Sequence, residues 1–464
     1  MHQIWLAPID TVYRNKEKEQ LQHYGCTACF GVIKCRKQAE RGDKSMAWLD
    51  KLNHPEYYVK TFLKWSFLSV IVGILGGLLG AAFHHALHFV THVRSEHTWL
   101  IYLLPVGGLL TVGLYRILGM TQNRGTNEII DAILEKKPVS PMVAPAIFIA
   151  SGFTHLFGGS AGREGAALQI GGSMASILGK LFGLKDRNRT ILITCGMSAV
   201  FAGLFGTPLT AMLFCMEFES VGTLFTPALL PCYLSAFVAS RVSFALGVHA
   251  ETYLLETAAA LNGITIGGTV VLALLVSGLG VIMCYVFHKA EHLAAHYLPN
   301  LRIRIAVGGA VVTVLTVLVG DQRFNGAGMD MAMAAFEGHA DWYSFLLKML
   351  FTAVTLAAGF KGGEIVPTFC IGATFGCVLS SFLGLDPGLA AALGLIGLFC
   401  CATNSPLASI VLSVEMFGGA NLYLFALISV ICFVLSGNSG LYASQIIRYE
   451  KVDRYLVNHK KTTD

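Results

Sequence analysis

Apolar stretches of roughly bilayer-spanning length recur from about Trp65 to Cys432, and this recurrence restricts the possible folds more than any single motif does. A helix needs about 20 largely apolar residues to cross the hydrocarbon layer. Within that layer each backbone N–H and C=O must find a partner inside the protein, which leaves helices or closed barrels. The apolar blocks lie near residues 62–90, 99–118, 143–158, 166–184, 190–204, 208–218, 224–247, 263–288, 302–319, 343–360, 366–384, 388–402, 406–417 and 421–436. They are too long and too poor in polar residues for the alternation of barrel strands. The chain is 54% hydrophobic and 13% charged, where soluble domains carry about 25% charged residues. An all-α polytopic integral membrane protein is expected, and the 50 glycines suit close helix approach within it.

Basic residues gather at the two ends, from Lys16 to Lys51 and from Arg448 to Lys461. The positive-inside tendency then places both termini in the cytoplasm, with an even number of crossings between them. No nucleic-acid-binding module accompanies these clusters, so nucleic acid is not an expected partner. Most cysteines, such as Cys215, Cys370, Cys400 and Cys401, sit in apolar blocks where cysteine acts as a small hydrophobe. Cys26 and Cys29 have metal or redox spacing, with Cys35 beyond, but no second pair follows, so neither a metal nor a cofactor is expected. The first 45 residues do not read as a signal peptide; they form an arm, or lie upstream of a start at Met46. Beyond the last apolar block, about thirty residues are too few for a regulatory domain of ordinary size.

Several blocks are too short to cross alone, and short interrupted segments in matching positions of two halves point to a transporter built from repeats. GREGAALQIGG, from Gly162, aligns with GEIVPTFCIGA, from Gly363, at a shift of 201. TPLTAMLFCMEF, with Pro208, aligns with SPLASIVLSVEMF, with Pro406, at a shift of 198. Each proline is followed nine residues later by a glutamate, Glu217 or Glu415. The expected organisation is an arm over 1–57, a first membrane repeat over 58–248, a polar linker over 249–262, a second repeat over 263–450 and a tail over 451–464. Hydropathy alone does not tell whether the second repeat is inverted.

The glycines of GGSAGREGAAL make a loop that starts an apolar helix, and a helix start in a membrane presents free N–H groups and the positive end of the dipole to an anion. GFKGGEIVPTF repeats the device, with Pro367 suited to a first helical turn. Two such starts converging near the midplane would cradle a small anion on neutral amides. Glu164 then reads as a competitor: ionised it takes the anion's place, protonated it leaves, and proton and anion movements become coupled. The structural alternative is an ion pair with Arg163, although adjacent helical residues do not face each other. Glu364, in the mirrored loop, is either a second proton carrier or a cap on its own helix. Glu217 and Glu415, closing short helices, are read as reaching the aqueous edge. Gly158 to Gly162 spell the GxSxG of a hydrolase elbow around Ser160, but a helical stretch rather than a strand precedes it. His84, His85, His88 and His92 could hold a metal; a wet helix end is the reading preferred here.

These motifs in this order resemble the CLC family of chloride channels and anion/proton antiporters over residues 58–450. GREGA resembles the family's GREGP, GGEIVP its GGxFxP, FGTPLTAMLFCME its FNAPLAGxLFxxEE, and SGLYAS the segment supplying an anion-contacting tyrosine, here Tyr442. The resemblance implies an all-helical homodimer with inverted repeats of tilted and broken helices, one pore per subunit. The family's GSGIP is replaced by Gly125-Thr126-Asn127-Glu128-Ile129. Phe218 stands where many chloride/proton antiporters have an internal proton-transfer glutamate, and a glutamate stands instead at Glu364. That combination is similar to the bacterial fluoride/proton antiporter branch, although Val366 and Thr126 depart from residues common there.

The resemblance thus implies fluoride export in exchange for protons across a bacterial inner membrane by a protein that is not an enzyme. Glu164 and Glu364 would gate and carry protons. Backbone around Gly162, Arg163, Gly165 and Ala166, and around Ile365 and Val366, would bind the anion, with Thr126 or Asn127 and Tyr442 completing its shell. A chloride/proton antiporter or passive chloride channel, and more remotely a membrane-embedded serine hydrolase, are the alternatives.

Overall fold

The computed structural model describes residues 55–120, 125–250, 252–253, 255, 258–449, 451 and 456–460. Cys26, Cys29, Cys35 and Met46 lie outside the described residues. By internal contacts the chain divides into residues 1–64 and 65–464. Of the first unit the described residues are the opening of helix α1; the second unit holds the remaining elements.

Among the described residues sixteen α-helices follow in order. The first eight are α1 (Pro55–Glu96), α2 (Leu104–Ile117), α3 (Thr126–Leu134), α4 (Val143–Leu156), α5 (Glu164–Leu181), α6 (Asp186–Phe205), α7 (Pro208–Glu217) and α8 (Leu229–Ala245). The second eight are α9 (Gly263–Tyr297), α10 (Leu301–Val319), α11 (Met329–Phe336), α12 (Ser344–Ala358), α13 (Ile365–Leu383), α14 (Pro387–Thr403), α15 (Pro406–Phe417) and α16 (Leu422–Leu435). Long and short helices alternate alike in the two sets: α1 and α9 have 42 and 35 residues, α3 and α11 have 9 and 8, α5 and α13 have 18 and 19, α7 and α15 have 10 and 12. Among the described residues seven helical segments are long and apolar enough to cross a membrane. The expected all-α fold of broken helices in two inverted repeats is the one observed.

The local signals are conventional ones. Pro208, Pro387 and Pro406 open α7, α14 and α15, where the missing N–H costs nothing. Asp386 and Asn262 cap α14 and α9 through Leu389 and Thr265 N–H groups, at 3.0 and 2.8 Å. The closest packing of the core repeats as well. On α5 and α6, Gly171 and Gly196 lie backbone to backbone, and on α13 and α14, Gly372 and Gly394 do the same; a Cβ at any of these four would collide with the facing carbonyl. Without a hydrophobic drive between helices in lipid, this approach over small residues supplies the packing.

One feature departs from an all-helical chain. After α7, strand β1 (Ser220–Val221) pairs in parallel with β2 (Ile446–Tyr449), which pairs antiparallel with β3 (Leu456–Lys460). The β-branched Ile446-Ile447 pair favours extended backbone. The short sheet joins the end of the first repeat's α7 to the chain beyond α16.

Candidate functional site

The two glycine-rich loops meet. Gly162 N–H donates to the Gly363 carbonyl at 2.7 Å and Gly363 N–H to the Gly162 carbonyl at 2.9 Å, forming an antiparallel bridge between the repeats. Both positions require glycine, because a Cβ on either would press on the Glu164 carboxylate.

Beyond the bridge each loop turns into its helix. The first intrahelical bond of α5 is Ala167 N–H to the Arg163 carbonyl, 3.0 Å, and that of α13 is Thr368 N–H to the Glu364 carbonyl, also 3.0 Å. A helix start leaves the preceding amides without intrahelical acceptors. Those amides are turned to one carboxylate. Glu164, 0% exposed, accepts from Arg163 N–H at 2.7 Å on Oε2 and from Val366 N–H, 202 residues away, at 2.8 Å on Oε1. The Glu164 carboxyl thus occupies the place between the two helix starts where an anion was expected.

Arg163 acts on Glu164 through its backbone N–H and through the charge of its guanidinium. The guanidinium Nη1 also donates to His84 Nδ1 at 3.3 Å, and the group lies 5.1 Å over the Phe205 ring. His84 is therefore turned to Arg163 rather than standing simply at a wet helix end, and His88 stacks on it at 6.4 Å.

The remaining expected residues fall in different places. Thr126, 9% exposed, places its hydroxyl where a Cβ on Gly165 would stand. Ala166, Ile365 and Val366 are buried in the two helix starts. Tyr442 is 2% exposed, its hydroxyl without a hydrogen-bond partner, and it lies within electrostatic reach of both Glu164 and Glu364. Phe218 packs edge-on against the Tyr442 ring at 4.7 Å, so an aromatic contact occupies the position of an internal carboxylate. Glu364 is the residue before α13, but its side chain does not cap that helix.

Two expectations need correction, on the Gly162 amide and on Glu217 with Glu415. The Gly162 amide is not available to an anion, because the inter-repeat bridge uses it. Asn127 accepts from Ser444 N–H on its side-chain oxygen, 3.0 Å, tying the start of α3 to the segment that carries Tyr442; that bond leaves its NH2 group as the donor. Glu217 and Glu415 do not reach for water, since their carboxylates cap helices in the opposite repeat.

One residue the sequence reading passed over stands beside the first loop. Lys348, on α12, is 0% exposed, and its ammonium donates to Ser160 Oγ at 3.0 Å, the Phe324 carbonyl at 3.1 Å and the Gly326 carbonyl at 2.7 Å. A lone lysine in the apolar run SFLLKMLFTAVTLAA was the available signal, because intramembrane charge is costly and functional by default. Ser160, also 0% exposed, hydrogen-bonds Thr352 Oγ1 at 3.0 Å besides Lys348. The Ser160 hydroxyl thus sits between the lysine nitrogen and a threonine hydroxyl.

Comparison with known proteins follows the same line. The family model described as "Voltage gated chloride channel" matches residues 107–436. The chain is 32% identical over 425 residues to a chloride/fluoride channel protein of Pseudomonas syringae pv. tomato, covering 90% of this chain and 94% of that one. It is 24% identical over 425 residues to an H(+)/Cl(-) exchange transporter, ClcA, of Vibrio cholerae, covering 85% and 90%. Among solved structures it resembles a CLC-type fluoride/proton antiporter, with TM-score 0.81 and 32% identity over 85% of this chain and all of the other. A slow cyanobacterial Cl-/H+ antiporter, at 21% identity and TM-score 0.69 over 80% and 94%, shares the fold.

Proposed function

We propose, from the premise that this chain belongs to the CLC family of voltage gated chloride channels, that it exchanges fluoride for protons across a membrane, exporting the anion from the cytoplasm. The observation that carries this reading is the Glu164 carboxylate, held at once by Arg163 N–H and Val366 N–H. Charge-assisted bonds of this kind are stronger than neutral ones, yet protonation removes the charge that the donors favour. A proton reaching Glu164 therefore releases it, and the vacated amides receive an anion; loss of the proton drives the anion out.

Fluoride as substrate is supported by the likeness to the chloride/fluoride channel protein and to the CLC-type fluoride/proton antiporter, each at 32% identity. Glu364 and Tyr442, both within electrostatic reach of Glu164, complete the proton-handling and anion-contacting set. Thr126, against Gly165, adds a hydroxyl donor for a small and strongly hydrated anion whose desolvation must be offset by dense donors. The working form is a homodimer in a bacterial inner membrane, with a pore in each subunit and both termini cytoplasmic. Chloride in place of fluoride is the second reading, favoured by the relative named for H(+)/Cl(-) exchange.

In proteoliposomes loaded with fluoride, efflux should drive proton uptake, and Glu164→Gln should abolish the proton movement. Intact coupling in Glu164→Gln would refute the gate. Efflux of chloride at or above the rate of fluoride would favour the second reading.

A further inference from the structure

Lys348 is a charge with no obvious use in a structure where charge is expensive. Removing an ammonium from water costs several kcal/mol unless other groups compensate. Two backbone carbonyls and one hydroxyl supply that compensation, and no acidic side chain forms a salt bridge with Lys348 among the described residues. The ionisable neighbours that act on it are Cys370 and Arg94. Neutral acceptors hold the cation in place without cancelling its field.

The place is specific. Lys348, Thr352 and Thr355 lie on one face of α12 at helical spacing, and all three serve Ser160: Lys348 Nζ and Thr352 Oγ1 meet its hydroxyl, and Thr355 Oγ1 accepts from its N–H at 3.1 Å. Ser160 is two residues before Gly162, where the inter-repeat bridge begins. A second cation stands at the other end of the same loop, where Arg94 Nη1 donates to the His155 carbonyl at 3.3 Å. Tethering alone would not require a lysine, since a neutral donor could bond the same oxygens at lower desolvation cost.

We propose that Lys348 is a positioning residue whose buried, uncancelled positive charge sets the affinity of the anion site through the field it projects along the Ser160–Gly162 loop. It does not touch the anion, because its three protons are already donated. The Ser160 side chain and two residues of chain, at about 3.8 Å each, keep the ammonium within roughly 13 Å of the Gly162 turn. At the effective dielectric of about 20 that describes charges in proteins, a unit charge at that distance changes the affinity for a monovalent anion on the order of tenfold. A field acts on charge rather than size, so fluoride and chloride are affected alike.

This inference rests on the proposed anion transport, and the experiment separates the two. Efflux is measured from proteoliposomes as a function of internal fluoride, and separately chloride, for the wild type, Lys348→Met, Lys348→Arg and Thr352→Val. Lys348→Met removes the charge at similar volume and should raise the half-saturating concentration of each transported anion about tenfold, leaving the proton-to-anion ratio unchanged. Lys348→Arg keeps the charge with altered bonds, and Thr352→Val loosens Ser160 with the charge intact; both should stay within about twofold of wild type. Wild-type half-saturation in Lys348→Met overturns the proposal, as does a tenfold rise in either other variant. Should Lys348→Met fail to fold, Lys348→Arg and Thr352→Val decide between charge and tether by the same criterion. A wild type that transports neither anion overturns the transport reading, and this inference with it.

Discussion

Glu217 and Glu415 cap each other's helices. The Glu217 carboxylate, at the end of α7, accepts from Leu407 and Ala408 N–H at 3.3 and 3.0 Å in the first turn of α15; Glu415, near the end of α15, accepts from Leu209 and Thr210 N–H at 3.0 and 2.8 Å in the first turn of α7. Each helix start opens on a proline and has free amides and a positive dipole end, and each finds its counter-charge in the other repeat.

Replacing either carboxylate with glutamine should therefore destabilise the fold by about 1 kcal/mol, the usual worth of a cap. The two caps are roughly 12 Å apart along α7, far enough for their effects to add. Thermal unfolding of Glu217→Gln, Glu415→Gln and the double variant in detergent checks this. A double variant no less stable than either single one would contradict independent capping.

Gly363→Ala should disable the site more than the fold. The added Cβ would stand 2.7 Å from both Glu164 Oε1 and Gly165 N, so the carboxylate or the start of α5 must move. Overpacking of this size costs roughly 1–3 kcal/mol. Proton-coupled efflux should fall at least tenfold while the detergent-solubilised protein remains monodisperse.

Phe218→Glu should not restore an internal proton carrier. Phe218 is fully buried and touches Phe214 and Tyr442 at ring separations of 5.2 and 4.7 Å. Loss of a core phenylalanine costs about 3–5 kcal/mol before any charge is buried. The expected outcome is loss of folded protein, seen as a lowered melting temperature or aggregation on size exclusion, whereas Phe218→Leu should fold and retain coupling.

Glu219 makes stability depend on pH. It follows α7 at the edge of β1, and burial pushes its carboxyl up to about 7 from 4.5, against the opposing pull of Arg448. With the folded value above the unfolded one, the folded state holds the proton more tightly. Its contribution is most favourable below about pH 4.5 and is lost as pH rises to about 7. Glu219→Gln should flatten the stability profile across that window in denaturant melts; an unchanged slope would exclude this carboxyl as its source.

The repeats were legible because they leave local marks. The shift of 201 that aligns GREGAALQIGG with GEIVPTFCIGA also carries Gly171 onto Gly372, and those two glycines make equivalent backbone contacts with α6 and α14. Glu164 was legible as a charge in an apolar setting. The Gly162 amide was misassigned because a polar group near a site has several possible partners, and sequence does not say which lies nearest. Glu217 and Glu415 were read as solvent-seeking because their caps lie 190 and 206 residues away.

By itself the sequence determined a helical membrane chain, its two repeats, the loops that start α5 and α13, and the carboxylate placed in the first of them. These follow from hydropathy, glycine and proline, whose effects are felt within a few residues. Only the tertiary structure decided that Val366 N–H holds Glu164, that Arg163 Nη1 reaches His84, and that Lys348 stands uncancelled beside Ser160. Hydrogen bonds of about 3 Å depend on which distant segments the packed helices bring together, and no local periodicity records that.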